Sequence, residues 1–377
     1  MALLPAMSMS PPSRTKRIVW PLVIGALYGL AIRLGIALQP AGLWKIVSGA
    51  FLVVTPFSLG ALAVLMAARV DATTPRRDAG VAAKAMLLFL LTMFVTLLEG
   101  LICIVLVLPV FLLASVLGGM LAGWLHRHAQ AGKGTVSAIA LLPLLCGPLE
   151  ASLPPAQSEQ VVTTTFHIDA PPGVVFDQLA DVRRIRPEEL GFAFVHLIGL
   201  PKPVEANMHG SGPGAVRVSR WEKNVRFEEI ITTWERPRAM HYRFHIPPGA
   251  IPRDALDEHV ELGGAYFTVL DGGYDLAPAP GGGTSLTLTT RFLNKSQLKL
   301  YGDLWGRMVL QDFHRAILGL MRTRAETAQG RLAAACAPDS RRAPYTCHTQ
   351  PLLTQPLATQ SFQVASHMQA STPAGAR

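Results

Sequence analysis

Between positions 18 and 153 apolar residues run in long blocks with few charges, whereas from Val161 onward apolar and polar positions alternate. A span needs about 20 apolar residues at 1.5 Å of rise each. The stretch 18–38 meets that length, with Arg33 near its end and able to reach lipid headgroups along its aliphatic stem. The stretch 43–67 is a second span, with Pro56 as a kink. The block 85–125 is too long for one crossing and reads as two, broken near Glu99-Gly100. The last block, 135–149, is interrupted by Pro143 and Pro148 and reads as a fifth span or a re-entrant segment. The pattern therefore predicts an N-terminal segment (1–17), a membrane α-helical region of four or five spans (18–153), a folded domain (157–330) and a disordered tail (331–377).

In the folded domain the β-branched run 161–168 predicts a strand, and Asp169 ahead of Pro171-Pro172 starts a helix through 174–181. A short helix over 185–190 follows. Strands are expected over 215–221, 225–235, 240–246, 259–270 and 285–292, separated by glycine and proline clusters such as 210–214, 247–249 and 281–283. Gly263-Gly264 reads as a bulge inside the fourth of these strands. A long helix over 296–326 closes the domain, with Tyr301, Trp305, Met308, Val309, Phe313, Ile317 and Leu320 at helical spacing. This order predicts an α+β helix-grip domain: a curved antiparallel sheet around one long C-terminal helix. The motif Phe166-His-Ile-Asp-Ala-Pro-Pro-Gly-Val-Val-Phe176, with the strands and helix that follow, resembles the START-like (SRPBCC) superfamily, the group of polyketide cyclase/dehydrase and lipid-transfer domains. The resemblance covers roughly 160–326 and implies a hydrophobic ligand pocket, without a shared catalytic motif. The arrangement as a whole is similar to bacterial membrane proteins with this domain at the C-terminus.

The chain has 377 residues, is 50% hydrophobic and carries a net charge of +9. Much of the positive charge flanks the apolar blocks, as Arg14, Lys16, Arg17, Arg69, Arg76, Arg77, Arg127 and Lys133, and there is no basic-aromatic module. That placement points to topology and anionic lipid rather than nucleic acid. It puts the N-terminus in the cytoplasm of a multi-pass inner-membrane protein. The domain then lies on the outer side with five spans and inside with four, and the outer, periplasmic side is the expectation. Glu99 is either a turn residue at the interface or an ionisable group in hydrocarbon. Four scattered cysteines and no Cys-x-x-Cys give no disulfide framework or zinc site, although Cys336 and Cys347 could pair in an oxidising compartment.

Strand alternation places Tyr242, Phe244 and Ile246 on the inward face, opposite His241, Arg243 and His245. Trp234, Tyr266, Tyr274, Tyr301 and Trp305 could join them as an aromatic ligand-binding lining or as plain core. Asp257, His259 and Glu261 form the densest titratable cluster, either solvated charge at a strand end or an acid/base set; Glu228, Glu229 and Glu235 are weaker candidates of the same kind. No metal and no cofactor is expected, and nothing specifies an oligomeric state. The expected function is membrane-tethered binding or transfer of a lipid or other hydrophobic small molecule. The alternatives are a cyclase- or hydrolase-type enzyme on a hydrophobic substrate and a ligand-sensing interaction module.

Overall fold

The computed structural model describes residues 14–37, 50–129, 133–151, 157–252, 255–256, 261–264 and 266–335. The apolar half forms helices α1 (Arg14–Ala37), α2 (Thr55–Ala68), α3 (Pro75–Val95), α4 (Leu101–Ala129) and α5 (Lys133–Ala151). Three helical stretches among the described residues are long and apolar enough to cross a membrane: Phe51–Ala68, Pro75–Val95 and Leu101–Ala129. The apolar stretches of α1 and α5, Val19–Gly35 and Gly134–Cys146, are shorter. The long block does break where its length demanded, between Val95 and Leu101 around Glu99. Pro56 sits in the first turn of α2, directly after a π-helical turn at Ala50–Val54. Arg33 pairs at 2.7 Å with Glu99, which lies in the connection between α3 and α4. At the other end of α3, buried Asp78 accepts from Arg127 of α4 at 2.6 Å.

Small residues let α2 and α4 approach closely. A Cβ on Gly60 would be driven into the backbone of Ser115, and one on Gly118 into the carbonyl of Phe57. Met86, Phe89, Leu90 and Met93 of α3 and Phe111 of α4 fill the space beside this contact.

The second half is the expected helix-grip arrangement. Strand β1 (Ser158–Ile168) leads to α6 (Pro172–Ala180), a 3-10 turn at Pro187–Glu189 and the short α7 (Phe194–Leu197). Then come β2 (Pro203–His209), β3 (Val216–Trp221), β4 (Arg226–Glu235), β5 (Ala239–His245), β6 (Phe267–Pro278), β7 (Thr284–Asn294) and α8 (Lys299–Ala335). The sheet is seven-stranded, in the order β1-β7-β6-β5-β4-β3-β2, with antiparallel pairing throughout. Even positions of β1 and β7 face in and odd ones out, so Val162, Ile168, Leu286, Leu288 and Phe292 join the core while Thr163 and Thr165 meet Thr289 and Thr287 outside. Ile317, Leu318, Leu320 and Met321 of α8 pack onto this face with Val175, Phe176 and Leu179 of α6. The first turns of α8 are clamped by buried Asp303, which accepts from Ser158 of β1 and from Asn294 of β7.

Three departures matter for the site. The expected helix at 185–190 is only the 3-10 turn, and α7 and β2 are additional. The strand expected over 259–270 is displaced to Phe267–Pro278, so Gly263-Gly264 lies in a turn and makes no bulge. The glycines that do belong to that strand are Gly272 and Gly273. They are needed there because a Cβ on Gly273 would strike the ring of His241 on β5.

Candidate functional site

The sheet and α8 do not close on each other completely. Between them lies a cavity of about 330 Å³, within the range of small-molecule sites, and its lining is overwhelmingly apolar. Its lining continues from the grip interior (Val269, Leu288, Phe313, Ile317) to Phe89, Leu90, Met93, Ile102 and Val107 of α3 and α4. The two halves of the chain thus share one hollow.

Of the seven aromatics singled out by alternation and helical spacing, Tyr242, Phe244, Tyr266, Tyr274, Tyr301 and Trp305 line it. Trp234 does not; a register shift in β4 between Ile231 and Thr233 accompanies its packing edge-on against Phe176, with ring centres 5.2 Å apart. Tyr242 and Phe244 do face inward, while His241 and His245 on the opposite face bond Asp275 and Glu228 at the surface. Asp257 and His259 lie outside the described residues. Glu261 sits half-buried in the turn before β6 and is not among the lining residues.

The polar end of the cavity comes from a pair that the aromatic pattern did not reveal. Arg217 of β3 and Glu229 of β4 are directly opposed in the sheet and both face inward. They form an ion pair with side chains only 3% and 7% exposed. Ser219 donates to the other oxygen of Glu229 at 2.9 Å, and Arg217 donates to the Leu179 carbonyl of α6 at 2.6 Å. The guanidinium carbon lies 5.1 Å from the ring centre of Tyr242 and 5.6 Å from that of Tyr274. Burial alone would weaken the hold of Arg217 on its proton, but the Glu229 carboxylate reverses the sign and the guanidinium stays charged. Burial raises the phenols of Tyr242 and Tyr274, so both keep their protons and remain hydrogen-bond donors.

A second polar group, His314 of α8, is 1% exposed and spans Thr290 at 2.9 Å and Thr164 at 3.2 Å. Burial pushes its imidazole down to about 4, so it is neutral at ordinary pH. At this group of residues the Arg217 cation is matched by the Glu229 anion, and the two phenols and the imidazole are neutral. Such a lining can orient an uncharged hydroxyl or carbonyl group by hydrogen bonds, while a naked anion would compete with Glu229. The signal for this end was present in the sequence. Arg217 falls at an inward position of an alternating strand, between Ala215 and Ser219, where a charge demands a partner.

No family model matches the chain, and no curated protein matches it. Solved structures do. The di-domain aromatase/cyclase BexL aligns at 20% identity and a TM-score of 0.29, over 55% of this chain and 61% of its own. This chain thus spans less than two thirds of that protein. An aromatase/cyclase (Zhui) from a Streptomyces species aligns at 17% identity and a TM-score of 0.30, over 47% of this chain and 98% of its own. Norcoclaurine synthase from Thalictrum aligns at 9% identity and 0.30, over 46% and 98%. At these values the likenesses carry nothing about chemistry, and the helix-grip assignment rests on the strand order and the packing of α8.

Proposed function

We propose that the chain is a multi-pass membrane protein whose helix-grip domain binds a hydrophobic molecule with one uncharged polar end. The observation that supports this best is the shared hollow: a mostly apolar cavity of about 330 Å³ with a polar group at Arg217, Glu229, Tyr242, Tyr274 and His314, bordered by apolar helices. A cargo already dissolved in hydrocarbon gains little by moving to another apolar surrounding, since the hydrophobic effect is a transfer from water. Selectivity would then come from the polar end, where the phenols and the charge-balanced pair find a partner that lipid tails do not supply. The alternating course of α1 to α5 supports an outer location for the domain, because Arg69, Arg76, Arg77 and Arg127 fall at helix ends opposite Glu99.

Native mass spectrometry of the full chain, released from membranes in mild detergent, tests the binding. The expected result is a lipophilic adduct that Leu288→Trp, which fills the cavity, abolishes without loss of the folded charge-state distribution. Adduct-free native protein, or an adduct unaffected by Leu288→Trp, would overturn the proposal. A C-terminal alkaline phosphatase fusion reports the side of the domain: active enzyme for the outer face, inactive for the cytoplasmic one.

A further inference from the structure

Large apolar side chains on the outside of the grip domain are not scattered. Eight are exposed among the described residues of 157–330, and six of them fall in two short segments: Phe192, Phe194 and Leu197 at α7, and Leu300, Leu304 and Met308 at the start of α8. Phe192 and Leu300 are 86% and 85% exposed, and with their neighbours they form apolar patches rather than single scattered side chains. Positions 300, 304 and 308 follow one another at helical spacing, so the stripe is continuous along α8.

Both segments meet the apolar helices at one place. Ile198, next to Leu197, packs on Ile102 and Cys103 in the first turn of α4. Tyr301, next to Leu300, donates to the Leu106 carbonyl one turn further on. The adjoining helix ends are themselves apolar and exposed at Val95, Leu97 and Leu101. Both exposed segments therefore adjoin residues that contact the first turns of α4, a helix long and apolar enough to cross a membrane. Lys299 and Arg307 border the stripe with exposed side chains, as cations do where a helix lies against anionic headgroups.

We propose that these two segments are seated in the headgroup layer of the same bilayer that holds α2 to α4, as a lipid-immersed rim around the cavity. Phe192 and Leu300 then lie in lipid, and the cavity opens toward hydrocarbon with no aqueous gap to cross. The seating holds whether or not the cavity carries cargo, so its test is independent of ligand binding.

The experiment uses the full chain in phosphatidylcholine vesicles, with its four native cysteines replaced by alanine. Single cysteines at Phe192→Cys, Leu300→Cys and, at the opposite end of the sheet, Ala277→Cys carry an NBD fluorophore. The expected result is blue-shifted emission at 192 and 300 that is quenched by a lipid bearing a shallow doxyl group and spared by aqueous iodide, with the reverse at 277. Emission at 192 and 300 that matches 277 in colour and in both quenchers would overturn the proposal. Leu304→Cys provides a repeat should either of the first two fail to give monodisperse protein, and it is read by the same two outcomes.

Discussion

Replacing Arg217 with methionine puts the polar end of the cavity to a quantitative test. The substitution leaves the Glu229 carboxylate with Ser219 as its remaining side-chain donor, in a place where Glu229 is 7% exposed. Breaking one partner of a buried pair costs about 3–5 kcal/mol, whereas a solvated pair is worth under about 1 kcal/mol. For a domain of this size each kcal/mol moves the midpoint by roughly 2–4 °C, so Arg217→Met should lower Tm by about 6–20 °C. Removing both charges with Arg217→Met/Glu229→Leu takes away the stranded carboxylate. The double variant should therefore be more stable than Arg217→Met alone. The assay is thermal unfolding of the full chain in detergent at one scan rate, followed by tryptophan emission. A fall of less than about 2 °C for the single variant would mean that water reaches the pair and the cavity is not a dry site. Additive losses in the double variant would mean that the two residues do not act as a pair.

Two further outcomes follow from other parts of the fold. His314 is held neutral with its pKa at about 4, against an ordinary value near 6.5, so the unfolded chain binds the extra proton between these values. Its contribution is complete above pH 6.5 and is lost as pH falls toward 4, by about 3 kcal/mol; His314→Gln should flatten denaturation midpoints across that window, and an unchanged slope would refute the assignment. In the apolar half, Gly118→Val should push α2 from α4 at a cost of about 1–3 kcal/mol or more, seen as a lower midpoint in the same unfolding assay, with Gly118→Ala in between; a native midpoint for the valine variant would refute the close crossing.

What could be read beforehand follows from where physical constraint shows itself in residue type. The break near Glu99 was legible because helix rise sets a limit on one crossing, and β1, β3 to β5 and β7 because alternation has only one period. β6 was misplaced because its glycines look like punctuation. Gly272 and Gly273 are kept small by β5 and β7, which are neighbours in space, and a window of local sequence does not contain them. The aromatic lining was legible as a set, since Tyr242 and Phe244 share a strand parity and Tyr301 and Trp305 share a helical face. Trp234 escaped that logic through the register shift beside it. The Arg217–Glu229 pair depends on the cross-strand register of β3 and β4, which the eleven residues of intervening chain do not specify. Of Asp257, His259 and Glu261, chosen for density of charge, only Glu261 falls among the described residues, and it does not line the cavity.

The pairing of β1 with β7 has a consequence for how the protein is made. β1 follows α5 directly in the chain, yet Thr165 meets Thr287, a residue 122 positions later. At about 5–20 residues per second of synthesis, β1 waits roughly 6–24 s for its partner, with its β-branched edge open to other chains. The Asp303 clamp arrives later still, so the grip closes only when the first turns of α8 have emerged. Substitutions on the outward face of β1, such as at Thr163 or Thr165, should therefore act on yield during synthesis more than on the melting point of the finished molecule. The vulnerable species of this protein is a nascent one.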